Sequence, residues 1–415
     1  MKTPYGHLTY CTNIHSGESW TDHFEQLQKN IPAIKRSFSP TQPFGIGLRL
    51  ANKASVELAE PEILNQFQDW LRQEDCYVFT MNGFPYGGFH DTVVKDAVHK
   101  PDWTTGERVA YTNRLANILA QLLPANMDGG ISTSPLSYRH WFATENGRKE
   151  AIASATQNVL QVVNGLIQIN STTGKLIHLD IEPEPGGLLE SGTEFIHWYD
   201  DHLLPAGIDY LHQQFGFNEE KAVALIKEHV QLCYDVCHFA IGYEDPVSTI
   251  TQLKTRGIKT GKIQISAALK AVLPPAFDER LRIAKAFRKF DEPTYLHQVI
   301  GRQQNGMLQQ YNDLPQALAD VNNETITEWR AHFHVPVFIK DYGLLQSTQT
   351  DIVDVVALQK ASPFTTHLEV ETYTWDVLPD DLKLPRQESI TREVSWVLQL
   401  LNNNPAVPII KKEDE

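Results

Sequence analysis

Short runs rich in β-branched and aromatic residues alternate along this chain with longer stretches of helical periodicity, an order that points to parallel strands joined by crossover helices. The strand candidates are His7–Thr12, Phe44–Leu50, Tyr77–Met81, Gly130–Thr133, Leu176–Ile181, Gln231–Cys237, Lys262–Ser266 and His367–Thr372. Between them, apolar residues recur near every 3.6 positions, as in Pro61–Arg72, Thr112–Leu122, Ala151–Leu166 and Glu219–His229. Eight strands with intervening helices imply an α/β fold closed into a single (β/α)8 barrel. A doubly wound open sheet is the alternative, but its GxGxxG phosphate turn after the first strand is missing. No repeat or low-complexity linker divides the 415 residues. The expectation is therefore one domain over residues 1–415, with long loops after the strands and a short frayed tail from about residue 404.

With 41% hydrophobic side chains the chain can bury a large core. No stretch approaches the roughly 18 apolar residues of a membrane span. The opening Met1–His7 lacks the apolar centre of a secretory signal, so a cytoplasmic protein is expected. A formal net charge of -15 repels polyanions and argues against broad binding to nucleic acid or anionic membranes. Cys11, Cys76, Cys233 and Cys237 are too sparse for a disulfide framework. Cys233 and Cys237 read as small packing residues on one side of a strand.

Several strand ends are unusually polar, and in barrels the chemistry gathers there. The run His178-Leu179-Asp180-Ile181-Glu182 alternates so that its three polar residues share one face, with Glu182 outermost. A bare carboxylate pointing into a barrel is costly, and a metal ion is one good partner for it. Asp235 closes a strand and His238 follows three residues on, whereas His332 and His334 project from one face of an extended segment. Glu371 is the outer of two carboxylates on the last strand. Glu182, Asp235, His238, His332, His334 and Glu371 are thus the metal candidates, for Zn, Mn, Co or Mg. Glu182, Glu371 and His15 are the catalytic candidates, and Gln264, Asn82, His90 and Trp375 the substrate-facing ones. Glu184 and Glu190 read as solvated loop charges.

The series of a Glu, DxxH, HxH and a final Glu-Thr resembles the xylose-isomerase-like TIM barrel superfamily of sugar isomerases, epimerases and endonuclease IV. The stretch DVCHFAIGYED from Asp235 to Asp245 is similar to the endonuclease IV pattern. That resemblance implies a Glu182 bridging metals beside Asp235 and Glu371, and a neighbouring ion on His238, His332 and His334. Asn82, Ser134 and Gln264 stand where those nucleases place metal-binding His, leaving His15 or His90 to substitute. The strings YCTNIHSGESW, HLDIEPEPGGLLE, HFHVPVF and LEVETYTWDVLP, spread over nearly the whole chain, resemble the bacterial EboE family. This second resemblance implies a role in metabolite traffic, with other proteins of one gene cluster as partners.

Three functions compete on this reading. The first is a metal-dependent isomerase or epimerase, or a related lyase, acting on a small hydroxylated or carbonyl-bearing metabolite. The second is a non-catalytic protein that binds and hands over a metabolite, and the third is an endonuclease IV-like phosphodiester hydrolase.

Overall fold

The computed structural model describes residues 1–88, 94–374, 378 and 385–402. His90, Trp375 and the expected tail lie outside the described residues. A two-residue strand β1 (Lys2–Thr3) pairs antiparallel with β2 (Gly6–Tyr10). Six strands parallel to β2 follow: β3 (Phe44–Arg49), β4 (Cys76–Asn82), β5 (Gly129–Thr133), β6 (Ile177–Ile181), β7 (Val230–Asp235) and β8 (Thr260–Ile265). Six short strands come next, namely β9 (Leu269–Val272), β10 (Val299–Gln303), β11 (Leu308–Tyr311), β12 (Ile326–Ala331), β13 (Asp341–Tyr342) and β14 (Leu345–Ser347). The chain then returns to the parallel set with β15 (His367–Val370).

Hydrogen bonding orders the parallel strands β2, β15, β8, β7, β6, β5, β4, β3, and the sheet curls until its two ends nearly meet. Closure there rests on one bridge, Cys11 to Gly47, and on Thr9. The Thr9 hydroxyl donates to the Gly45 carbonyl at 2.8 Å and accepts from the Gly47 amide at 3.1 Å. A side chain thus stands in for missing ladder bonds. The eight expected barrel strands all form, most of them within a residue or two of their expected bounds, and Glu219–His229 is helical as read. That helix begins where the Asn218 side chain accepts from the Lys221 amide at 3.0 Å, an N-cap followed by two glutamates that favour the helix dipole.

Two expectations are corrected. The six strands β9–β14 form a separate antiparallel sheet, ordered β11, β10, β12, β9, β14, β13, which the sequence reading did not contain. His332 and His334 therefore follow a strand of this second sheet rather than a barrel strand. The strand expected to run to Cys237 ends at Asp235, whose side chain accepts from the His238 amide at 3.1 Å and caps a helix over Val236–Ile241. Cys237 is consequently helical, and His238 sits on that helix instead of in a loop.

In β6, Ile177, Leu179 and Ile181 join the apolar core outside the sheet while His178, Asp180 and Glu182 are buried on the alternate positions. The barrel interior is accordingly polar, and it is layered. Midway along, Lys262 donates to Glu369 at 2.7 Å, to the Ser132 hydroxyl at 3.2 Å and to the Met81 carbonyl at 3.3 Å, using all three of its protons. Two glycines leave room for this filling. A Cβ on Gly47 would stand 1.8 Å from a Glu369 oxygen, and one on Gly261 would stand 1.9 Å from an Asp180 oxygen. Gly47→Ala and Gly261→Ala are each expected to destabilise the protein by about 3 kcal/mol or more. Gly106→Ala, at a helix start with nothing within 4 Å of its Cβ, is the matched control and stays within about 1 kcal/mol of the parent. Denaturant midpoints measure both, and equal stability of all three variants would contradict the layered interior.

Candidate metal centre

At the carboxyl ends of the strands the backbone carries three acids to one place. Glu182 and Glu371 follow β6 and β15, where their amides still extend the sheet by donating to Thr133 and Ile265 carbonyls at 3.0 Å each. Asp235 ends β7. Beneath them the Gln264 amide donates to Glu182 at 3.1 Å, to Asp235 at 3.2 Å and to Glu371 through a very short contact. Its carbonyl oxygen accepts from the Cys233 thiol at 2.8 Å, which orients the amide nitrogen toward the acids. The other Glu371 oxygen accepts from Asn13 and Asn82, both at 2.8 Å. Ser266 adds a hydroxyl to Asp235 at 2.7 Å.

Burial, reinforced by the mutual repulsion of the acids, pushes the Glu182 and Glu371 carboxyls well above the usual range. One oxygen of Glu182, Oε2, is buried without a hydrogen-bond partner. Such an atom is free to accept from a substrate hydroxyl or to meet a cation.

Above the acids stand three imidazoles. The Nδ1 of His238 meets the Pro183 carbonyl at 3.1 Å, that of His334 the Glu371 carbonyl at 3.1 Å, and that of His332 the Gln298 side-chain oxygen at 2.8 Å. Gln298 is held in that orientation because its nitrogen donates to the Pro185 carbonyl at 2.7 Å. None of these acceptors has a proton to give, so each Nδ1 carries one and each Nε2 of a neutral ring is a lone pair. The three Nε2 atoms face one another at 3.0, 3.4 and 3.4 Å. Protonating the rings does not relieve this crowding, since burial and the neighbouring imidazoles press His332 well below its usual range and burial takes His334 down to about 4. A tetrahedral zinc ion with Zn–N bonds of about 2.0–2.1 Å sets its nitrogens about 3.3–3.4 Å apart. The triangle fits a cation of that kind.

The sequence candidates divide as follows. Glu182, Asp235, His238, His332, His334 and Glu371 come together, and with Glu184 and Cys237 their ligand atoms fall into overlapping groups of three within 4.8 Å. Asn82 reaches the site through Glu371, and Gln264 lies beneath the acids with none of its surface exposed. His15 lies buried in the loop after β2, its ring 2.9 Å from the Tyr10 hydroxyl. A cleft opens above the site, lined also by Phe84, His99, Glu184, Tyr295 and Tyr373. Glu184 is not a solvated charge: it is buried and 3.0 Å from His99 Nε2. Glu190 likewise pairs with Arg139 at 2.7 Å. Asn13 sits in the quoted loop after the first strand, and a buried amide at a strand end was its available signal. His99 and Gln298 lie in segments without any repeating pattern.

No family model matches the chain, and no curated protein matches it. Among solved structures it is similar to a xylose isomerase-like TIM barrel protein from Mycobacterium smegmatis in complex with magnesium, at 10% identity over 97% of this chain and 98% of that one, with a TM-score of 0.49. A D-tagatose 3-epimerase-like protein gives 10% identity over 95% and 98% with a TM-score of 0.47. The IolI protein with a binding zinc atom gives 10% over 95% and 98% with a TM-score of 0.46. Likenesses this distant carry no argument about what the present chain binds; the barrel and the site rest on its own strands and side chains.

His238→Ala, His332→Ala and His334→Ala are each expected to weaken Zn2+ or Co2+ binding roughly 100-fold or more, and Gln298→Ala about 10- to 100-fold by freeing the His332 ring. Competition against a chromophoric chelator reads these affinities, and identical values for parent and variants would remove the imidazoles from the site. A second expectation concerns the loop that carries Glu184, whose following helix starts with the Gly192 amide donating to both Glu244 oxygens at 3.2 and 3.0 Å. Burial pushes the Glu244 carboxyl up to about 7 against that opposing hydrogen bond. The folded protein holds a proton that the unfolded chain releases near 4.5, so this stabilisation is complete below 4.5 and is lost as the pH rises through about 7. Glu244→Gln should therefore gain about 1–3 kcal/mol over the parent at pH 8 and nothing at pH 4, as read from urea midpoints.

Proposed function

We propose that this protein is a divalent-metal-dependent isomerase or epimerase of a small hydroxylated or carbonyl-bearing metabolite. The observation that carries the reading is the stacking of two buried carboxyls of raised proton affinity, Glu182 and Glu371, directly against three imidazoles whose lone pairs converge. His238, His332 and His334 would hold the ion, which when bound supplies Lewis-acid polarisation of a carbonyl or alkoxide. Three nitrogen donors favour zinc or cobalt over magnesium.

The chain's own residues account for the proton movements. A carboxylate of raised proton affinity can remove a proton from carbon beside a carbonyl and return it, and Glu182 and Glu371 are the pair placed for that role. Gln264, Asn13 and Asn82 fix the carboxylates by donating to them. Phe84, Tyr295 and Tyr373 wall the cleft above these groups. The EboE resemblance adds the expectation that this metabolite is a precursor whose movement toward the periplasm is served by proteins of one gene cluster.

A second reading, binding and hand-over without turnover, draws support from Gln264. Its neutral amide bonds three carboxylates that a second cation would otherwise bridge. The two readings part in heavy water. With metal-loaded protein and a panel of small ketoses, aldoses and hydroxy-keto acids, isomerase or epimerase action brings solvent deuterium onto carbon beside the carbonyl. Glu182→Gln is then expected to slow that exchange by about 10^2 to 10^4. A compound that raises the melting temperature yet gains no deuterium supports hand-over and overturns the enzymatic reading.

A further inference from the structure

The opposite end of the barrel holds a cluster that the proposed reaction does not use. Asp128 precedes β5, His178 is the second residue of β6 and His367 opens β15, so all three sit at the amino ends of the strands. One Asp128 oxygen lies 3.6 Å from His178 Nε2 and the other 3.5 Å from His367 Nε2. These separations are too long for good hydrogen bonds, whose N···O distance runs about 2.7–3.2 Å. Measured to one Asp128 oxygen each, they are close to the ligand-to-ligand edge, about 3.3–3.6 Å, of a tetrahedral ion with bonds of about 2.0–2.2 Å, and the three residues offer ligand atoms within 4.8 Å of one another.

Two independent features point the same way. His367 is fully buried, and neither of its ring nitrogens has a hydrogen-bond partner. An orphaned imidazole in a dry interior is costly unless something else takes its lone pair. His178, by contrast, is oriented from behind, because its Nδ1 lies 2.6 Å from the buried Asp180 carboxylate. A carboxylate on the far nitrogen is the usual support of a metal-bound histidine, fixing its tautomer and raising its basicity. Space for both rings exists because residue 130 is glycine: a Cβ there would lie 2.7 Å from His178 Cε1 and 3.0 Å from His367 Nδ1. Asp128 keeps 38% of its side-chain surface exposed, which gives an ion a way in and leaves a coordination position for water.

We infer that Asp128, His178 and His367 form a second transition-metal site, of zinc or cobalt type, at the floor of the barrel. An ion there ties together β5, β6 and β15. It lies at the opposite end of the strands from the imidazole triangle, since His367 and Glu371 occupy opposite ends of one extended segment. Its role is to brace the barrel, not to meet substrate.

The test uses full-length protein stripped with chelator and reloaded with Zn2+ or Co2+. Parent protein is expected to take up two equivalents by elemental analysis. The double variant His332→Ala with His334→Ala, which removes the upper triangle, should retain one equivalent and still gain about 3 °C or more in melting temperature on adding zinc. Asp128→Asn, a surface-reaching change outside the strands, should lose that floor equivalent and keep the upper one. Uptake of a single equivalent by the parent, abolished in the folded double variant, overturns the floor site while leaving the upper one intact. Retention of all metal by the double variant with loss in Asp128→Asn upholds the floor site and sinks the metal reading of the upper cleft. His367→Gln, which preserves size and polarity, repeats the Asp128 result if the loss is one of coordination.

Discussion

Charge placed inside a closed parallel sheet has no water to face, and the whole interior of this barrel is an answer to that constraint. Each layer neutralises itself in a different way. Lys262 and Glu369 do so as a buried ion pair at 2.7 Å, whereas the Asp180 carboxylate is hydrogen-bonded to the His178 ring at 2.6 Å. At the carboxyl ends the solution is only partial, because three acids share neutral amides from Gln264, Asn13 and Asn82. Amides soften the repulsion of carboxylates without cancelling it, which is why burial still lifts Glu182 and Glu371. The unbalanced layer is also the one that opens to the cleft.

The imidazole triangle is governed by main-chain geometry more than by side-chain partners. Two of the three Nδ1 atoms are committed to backbone carbonyls, those of Pro183 and Glu371, both in the segments that carry the acids Glu182 and Glu371. The direction of the lone pairs is thereby fixed by the same turns that place Glu182 and Glu371. Acid and imidazole cannot drift independently, and preorganisation of this kind is what a reactive site requires.

Much of this was legible before any coordinates. The alternation of His178, Asp180 and Glu182 fixed an inward face, and the outermost acid on β6 and on the segment after β15 marked the site. The pair Asp235 and His238 was visible as DxxH, but its meaning as a helix cap was not: a carboxylate three residues before a histidine reads equally as ligand spacing and as an N-cap, and here it caps the helix that bears His238. The second sheet escaped notice because strands such as Asp341–Tyr342 and Leu345–Ser347 are too short to show a period, and their pairing is set by contacts distant in sequence. Gln298 and His99 belong to the same class, being placed by tertiary packing alone. The orphaned ring of His367 was equally silent, since only the approach of Asp128 from a loop gives it significance.

The position of the HxH segment outside the barrel has a further consequence. His238 leaves the barrel proper, whereas His332 lies 94 positions later at the end of a strand in the antiparallel sheet, and their Nε2 atoms stand 3.0 Å apart. A cation gripping both would act as a removable cross-link across that span, and closing a loop of about a hundred residues withdraws on the order of 4–5 kcal/mol of freedom from the unfolded chain. An occupied site would thus buckle the inserted sheet to the scaffold at the very point where chemistry is proposed, so that occupancy of the clasp and the docking of a whole substructure would become one equilibrium.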